Sequence, residues 1–430
     1  MGLLLALVMV LPGAAQAADV YDGEVLDVDF GGDIKTFFLA TVPYDHVLFL
    51  TPPYDPEVFD DPEPEVDPTG QGIADFRLKL DVRGGPFKFQ LHNAITGVAP
   101  NAAGGAANAG VGQSTAQAVD LTWNEVDGEG LRVQSRVDRM SLAWRGSHAD
   151  VTLGRQPISF GKALIFTPMD LVNPFNPAFI DQEYKPGVDA LRADVYAGMA
   201  TQITVAAAYA GDWDLPGMIL AGYGQTTLGV WDLGLFAGSV REDLVGGVAT
   251  AGSLGPVGLR GEVTWTEPAD DAEDAFARAV VGGDWRPGEK TTLSGEVYVQ
   301  TLGTTDPSEY LSTLSGARYA RGELWLAGKY YAGLSVSQEI TPTVYGAMAL
   351  IGNLSDPSAF AAPTIAWSVA GNTDFAAGCY FALGQRPNGI SLENLLTAGL
   401  TEDAILSAIP VTTEFGLTPT TVFLQLKSYF

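Results

Sequence analysis

The sequence predicts an all-β protein: a transmembrane, up-and-down antiparallel β-barrel of about 18 strands. Three features predict it. Apolar and polar residues alternate with period two in segments of about ten residues. Longer connections exchange with tight turns, as long extracellular loops and short periplasmic turns do in such barrels. The chain also ends on an aromatic residue inside an alternating strand, TVFLQLKSYF.

Composition removes other classes. With 23 Lys plus Arg against 51 Asp plus Glu, the net charge of -28 excludes nucleic acid as a partner. One cysteine, Cys379, and three histidines leave no disulfide framework and no zinc-type ligand set, so no cofactor and no metal site is expected. No stretch of the mature chain reaches the ~18 apolar residues of a membrane helix, so entry into a membrane requires a closed barrel. A soluble sandwich or propeller also alternates, but it needs no regular exchange of long and short connections.

The elements follow in order. Residues 1–17, MGLLLALVMVLPGAAQA, carry an apolar stretch, a Pro-Gly break and an A-x-A site, and read as a signal peptide, although they lack a basic start. Residues 18–430 form the barrel domain. Strands are expected at 33–43, 72–82, 86–96, 131–145, 149–160, 187–197, 201–211, 217–228 and 230–241. Nine more are expected at 243–253, 256–267, 275–285, 290–302, 321–338, 342–353, 361–371, 373–384 and 420–430. Sixteen strands remain open as an alternative, because 217–253 is poorly punctuated and the connection near Glu242 breaks the alternation. In 257–266, Val257, Leu259, Val263 and Trp265 share one face while Arg260, Glu262, Thr264 and Thr266 share the other. Trp144, Trp231, Trp265, Tyr330, Tyr331 and Tyr429 are candidates for interfacial girdles. A short helix is expected within 391–410, and the acidic, Pro-rich stretch 45–71 reads as a solvated loop rather than a calcium site.

An 18-stranded barrel is too wide for its own side chains to fill. The connection 162–187 is apolar and Pro-rich, and its Ile165, Phe166, Leu171, Phe175 and Phe179 need somewhere to pack, so it is expected to fold into the lumen. The stretch LGRQPISFGKALIFTPMDLVNPFNP, Leu153 to Pro177, resembles the Gly-Arg-Gln strand and Asn-Pro loop of porin-like bacterial outer-membrane barrels. It departs at Phe160, where such families often have Trp. The terminal strand resembles the C-terminal Phe signal of the same class, departing at Ser428. The resemblance implies Arg155 and Gln156 near the lumen, and Asp170, Asn173 and Pro174 as positions that fix a constriction loop.

Of the 23 basic residues, 13 lie at or before Arg192, mainly on polar strand faces. Period two places Arg77, Lys79, Lys88 and Arg192 in the lumen. Arg136, Arg139 and Arg155 belong with them, with bulges expected near 138–140 and 154–157, where the apolar phase slips. These residues form a solute-guiding strip in one reading; in another they only pair with Asp75, Asp81, Asp138, Asp150, Asp189 and Asp194. No hydrolase, zincin, P-loop or dinucleotide motif occurs, so no enzyme is expected.

The expected role is a porin-like passive channel in the outer membrane of a Gram-negative envelope, surrounded by lipid and passing small hydrophilic solutes, with anionic ones a candidate class and ion selectivity left open. Small residues near 243–253 leave a homo-oligomer open. The competing expectation is a non-conducting barrel that binds at the surface or scaffolds a partner complex.

Overall fold

The computed structural model describes residues 18–22, 26–42, 68–100, 116–128, 130–174, 183–385 and 411–430. The chain runs through β1 (Ala18–Asp22), β2 (Asp27–Val42), β3 (Thr69–Gly84), β4 (Phe87–Ala99), β5 (Thr122–Asp127), β6 (Arg132–Arg145), β7 (Ala149–Gln156) and β8 (Val188–Ala197). It continues through β9 (Thr201–Tyr209), β10 (Met218–Leu228), β11 (Trp231–Val240), β12 (Asp243–Leu254), β13 (Val257–Glu267) and β14 (Phe276–Trp285). After β15 (Thr291–Gln300) come α1 (Tyr310–Leu314), α2 (Ala317–Ala320), β16 (Tyr330–Thr341), β17 (Val344–Asn353), β18 (Ser358–Ala370), β19 (Thr373–Leu383) and β20 (Thr420–Tyr429).

Leaving β1 and β5 aside, 18 strands pair antiparallel in chain order, and β20 pairs with β2 to close the barrel. Closure extends to the last residue, because Gly32 and Phe430 exchange both backbone hydrogen bonds at 2.9 and 3.1 Å. The Phe430 ring then stacks on Phe76 with centroids 5.7 Å apart.

Period two sorts the side chains as expected. On β13, Glu262, Thr264 and Thr266 are buried inside while Val263 and Trp265 are exposed outside. Leu235, Val248 and Val281 continue the outward band, and Val281 is 65% exposed. On a closed sheet such a surface suits hydrocarbon, since every backbone group is already paired within the wall. Trp144, Trp265 and Tyr330 are exposed and suit an interfacial girdle. Tyr331 does not, because it is buried in the interior cluster, and Tyr429 lies on the inward phase opposite Asp33.

The structure refines the expected boundaries. The stretch 217–253 resolves into three strands because β11 and β12 are joined by the tight reversal Arg241–Glu242, whose φ angles are 52° and 75°. The expected strand 321–338 begins only at Tyr330. Its first half stays inside with α1 and α2, where Tyr310, Ala327 and Val411 form one buried cluster. β5 is an insertion: the upper part of β6 pairs with β4 on one side and with β5 on the other, while Met140–Arg145 pairs with β7. Residues 1–17, the acidic stretch 45–67, Phe175, Phe179 and the expected helix at 391–410 lie outside the described residues.

The inside–outside assignment is testable at Val248, which is outward and central in β12. Val248→Arg should destabilise the barrel in lipid vesicles by about 2–4 kcal/mol. A guanidinium titration giving an unchanged midpoint would contradict the assignment.

Candidate functional site

The site is built from a loop that leaves the wall after Gln156. Glu262 on β13 and Glu296 on β15 both project inward and are almost fully buried. Glu262 accepts the backbone N–H groups of Lys162, Ala163 (2.6 Å) and Met169 (3.3 Å). Glu296 accepts those of Leu164 (2.7 Å), Ile165 and Phe166 (both 2.9 Å). Six main-chain donors that the loop has withdrawn from water are thus met by two carboxylates. Gly161 makes the approach possible: at φ +107° its missing Cβ would lie 2.6 Å from a Glu262 oxygen.

Side chains of the loop then fill one part of the lumen. Ile158, Phe160, Met169, Leu171 and Val172 pack on the inward faces of β8–β12, with Phe160 5.1 Å from Tyr223 and 5.6 Å from Phe236. Phe166 packs farther round, stacked on Tyr298 at 4.9 Å. Asn173 fixes the return, its amide donating to the Pro186 carbonyl at 2.7 Å. Asp170 accepts from Lys185 at 2.5 Å.

The other wall is cationic. Arg77 and Lys79 on β3, Lys88 on β4, and Arg136 and Arg139 on β6 come together on contiguous inward faces. One rung aligns Asp33, Arg77, Ala94 and Arg136, and the next aligns Lys79, His92 and Arg139. Arg77 meets Asp138 and Asp75; Lys79 meets Asp33 at 2.6 Å; Lys88 meets Asp81 at 3.6 Å; Arg136 meets Asp138 at 2.7 Å. Asp138 is the extra residue of a bulge, since His92 pairs with Arg139 and Asn93 with Val137. Arg192 also points inward, on β8, and donates to Asp194 at 2.9 Å.

Arg155 requires a correction. Register pairs it with Met140 and Asp189, on the same phase as outward Leu142, Leu153 and Leu191, so it does not face the lumen. It is only 3% exposed, and all five of its N–H groups are used, on Asp189 (twice), Gln117, Val119 and Val137. Its work is to lock 117–119 to β7 and β8. Gln156 on the inward phase is likewise consumed by backbone carbonyls of Thr152, Gly154 and Ala190.

Sequence reasoning missed four further groups. Lys35 on β2 and Lys427 on β20 are buried side chains that both bind Glu183 of the returning loop, Lys35 at 3.3 Å. Tyr184 lies between two arginines, with the Arg77 and Arg139 guanidinium carbons 3.6 and 4.2 Å from its ring centre. Its hydroxyl meets His92 Nδ1 at 2.6 Å. Inspection of the loop's charged and aromatic residues could have raised Glu183 and Tyr184, but only the pairing of last strand with first brings Lys35 and Lys427 together.

Charge states in the loop follow from burial. Burial pushes the Asp170 carboxyl up to about 6, with Lys185 offsetting only part of the effect. Burial likewise lowers Lys185 despite Asp170. Burial also raises Tyr184, against Arg139 and Arg77, to about 12, so it is a neutral phenol at neutral pH. Glu183 is opposed by burial but held below its ordinary value by Lys427 and Lys35.

No protein-family model matches the chain, and no curated protein matches it. Solved structures do. OccD3 (OpdP) of Pseudomonas aeruginosa aligns over 97% of this chain and 93% of its own, with TM-score 0.51 and 8% identity. The fold is that of an outer-membrane barrel. OpdK of Pseudomonas aeruginosa, solved with vanillate, covers 94% of this chain and 98% of its own at TM-score 0.54 and 8% identity. OccAB4 of Acinetobacter baumannii covers 97% and 100% at TM-score 0.52 and 5% identity. The closed 18-stranded wall therefore resembles those of outer-membrane porins, and its apolar exterior is consistent with a place in the bacterial outer membrane.

Two measurements probe the loop. Replacing both Glu262 and Glu296 with Gln weakens six charge-assisted bonds, so trypsin should cut at Lys162 at least about ten-fold faster in the double variant. Equal cutting rates in two folded proteins would show that the carboxylates do not hold the loop. Separately, Asp170 binds its proton more tightly folded than unfolded. Its contribution to stability is therefore fully present below about pH 4 and is lost as pH rises through about 6. Comparing guanidinium midpoints of wild type and Asp170→Asn from pH 4 to 7 should show the wild type losing ground over that window, and a constant difference would refute it.

Proposed function

We propose that the protein is a passive porin-like channel that admits small hydrophilic, preferentially anionic solutes across the bacterial outer membrane. The observation that carries this reading is the cationic half-wall. Lys35, Arg77, Lys79, Arg83, Lys88, Arg136, Arg139 and Lys427 stand on adjoining inward faces with six wall carboxylates, Asp27, Asp29, Asp33, Asp75, Asp81 and Asp138, and with Glu183 of the loop. Such a surface lowers the barrier for an anion more than for a cation, and guanidinium groups hold carboxylate or phosphate side-on without losing charge. Lys79 and Arg192, at 32% and 30% side-chain exposure, keep charge accessible in the lumen. The loop bearing Asp170 and Asn173 supplies the narrowing.

A second reading keeps the same barrel but closes it, leaving surface binding or scaffolding of a partner complex as its role. The buried clusters formed by the in-folded loop and by the α1–α2 segment favour it, since both take up lumen space.

Planar-bilayer recording separates the two. The channel reading expects stable conductance and, under a salt gradient, a reversal potential showing chloride preference. Lys79→Ala combined with Arg192→Ala should lower the chloride-to-potassium permeability ratio at least about two-fold. A folded barrel that passes no current would sink the channel and promote the closed reading.

A further inference from the structure

Two buried carboxylates adjoin in the lumen without a cation. Glu414 lies in the last connection, shortly before β20, and Asp356 in the short connection between β17 and β18; they are 6% and 8% exposed. The Glu414 backbone N–H donates to Asp356 Oδ2 at 3.0 Å. The Glu414 carboxylate accepts from the Ala327 N–H (2.6 Å), the Tyr331 hydroxyl (2.5 Å) and the Asn353 amide (2.8 Å). Elsewhere in the lumen Asp75, Asp138 and Asp170 each lie beside an arginine or a lysine. Among the described residues, neither Glu414 nor Asp356 forms an ion pair.

The ionisable groups that face Glu414 are Asp356 and the phenols of Tyr331 on β16, Tyr310 on α1 and Tyr319 on α2. From β18 and β19, which also pack on this segment, comes Tyr380. None of these brings positive charge. Adjoining carboxylates in such a place carry two charges only at a large desolvation cost, so the pair retains a proton. Burial raises the Glu414 carboxyl above its ordinary value and Asp356 adds to the rise; the bonds from Tyr331, Ala327 and Asn353 offset only part of it.

We infer that residues 411–416 are an acid-seated constriction: they rest in the lumen while the Glu414–Asp356 pair shares a proton, and leave once that proton has passed to water and both groups are charged. The effect on current rests on the channel reading; the proton-held seat does not. The seated segment binds the proton more tightly than the released one. Seating is therefore fully present below the ordinary carboxyl range and is lost as pH rises through the elevated Glu414 value. Release withdraws Val411 from Tyr310 and Ala327, and Phe415 from Tyr331 and Phe360, clearing space beside Phe166 of the in-folded loop. The α1–α2 segment stays in place, because Arg318 ties it to Asp243 and Glu273 at a separate point.

Hydrogen exchange of peptides covering 411–416 tests the seat whether or not current flows, using the refolded full chain in detergent and normalising to the unfolded chain at each pH. Bilayer recordings of the same preparations accompany it, over a series from about pH 4 to about pH 9. In wild type, protection should fall at least about ten-fold as pH rises, and conductance should increase over the same interval. Glu414→Gln, which has the neutral shape at every pH, should stay protected and poorly conducting throughout. Asp356→Asn removes the neighbouring charge and should move both midpoints down by about one pH unit. If Glu414→Gln lacks the heat-modifiable mobility of a folded barrel, the shift in Asp356→Asn decides. Wild-type protection that ignores pH or rises with it, or a midpoint that neither substitution alters, would overturn the inference. Protection that follows the expected course without current in any preparation would fail the channel reading and leave the proton-held seat standing.

Discussion

Pairing of the last strand with the first is the constraint on which the rest of the structure depends. An unpaired backbone N–H or C=O in hydrocarbon costs several kcal/mol, and an open 18-stranded sheet would expose two rows of them. Ten residue pairs between β2 and β20, from Asp33–Tyr429 to Val42–Thr420, remove those edges. Closure fixes the side-chain phase of every intervening strand, so Val263 and Trp265 can face lipid while Glu262 and Thr264 face inward. It also fixes a circumference that wall side chains cannot fill, which is why the connection after Gln156 turns inside.

The interior is divided accordingly. From β8 to β12 the wall offers Ala190, Ala206, Ala208, Ile219 and Phe236, an apolar bed on which Phe160, Met169 and Leu171 settle. Across the closure seam, the wall offers ammonium and guanidinium groups. One loop answers both surfaces, first with apolar side chains and then with Glu183, Tyr184 and Lys185. The apolar half gives the loop a resting place, and the cationic half receives Glu183 and Tyr184.

Much of this was legible in the sequence because a strand with one face in lipid and one inside must alternate. That rule located all 18 wall strands and put Arg77, Lys79 and Lys88 on the correct side. It misplaced Arg155 because a bulge was expected at 154–157. Register runs unbroken from Leu153–Leu191 to Arg155–Asp189, so simple alternation carries through Gly154, φ +112°, and leaves Arg155 on the outward phase. Segment 321–329 alternates too, but Leu324 and Ala327 find burial inside the lumen instead of in the wall. Contacts over long separations carried no local signal: Glu296 holds Leu164, 132 residues away, by a main-chain atom that no sequence pattern reports.

That last contact bears on how such a barrel can change over generations. Glu262 and Glu296 hold the loop by its amide hydrogens, which every residue other than proline possesses, and not by the identity of what is attached to each Cα. The mooring is therefore indifferent to the side chains of residues 162–166 so long as proline and oversized groups are kept out. Drift can redraw the inner contour of the passage one residue at a time, while the attachment that keeps the loop inside survives each step.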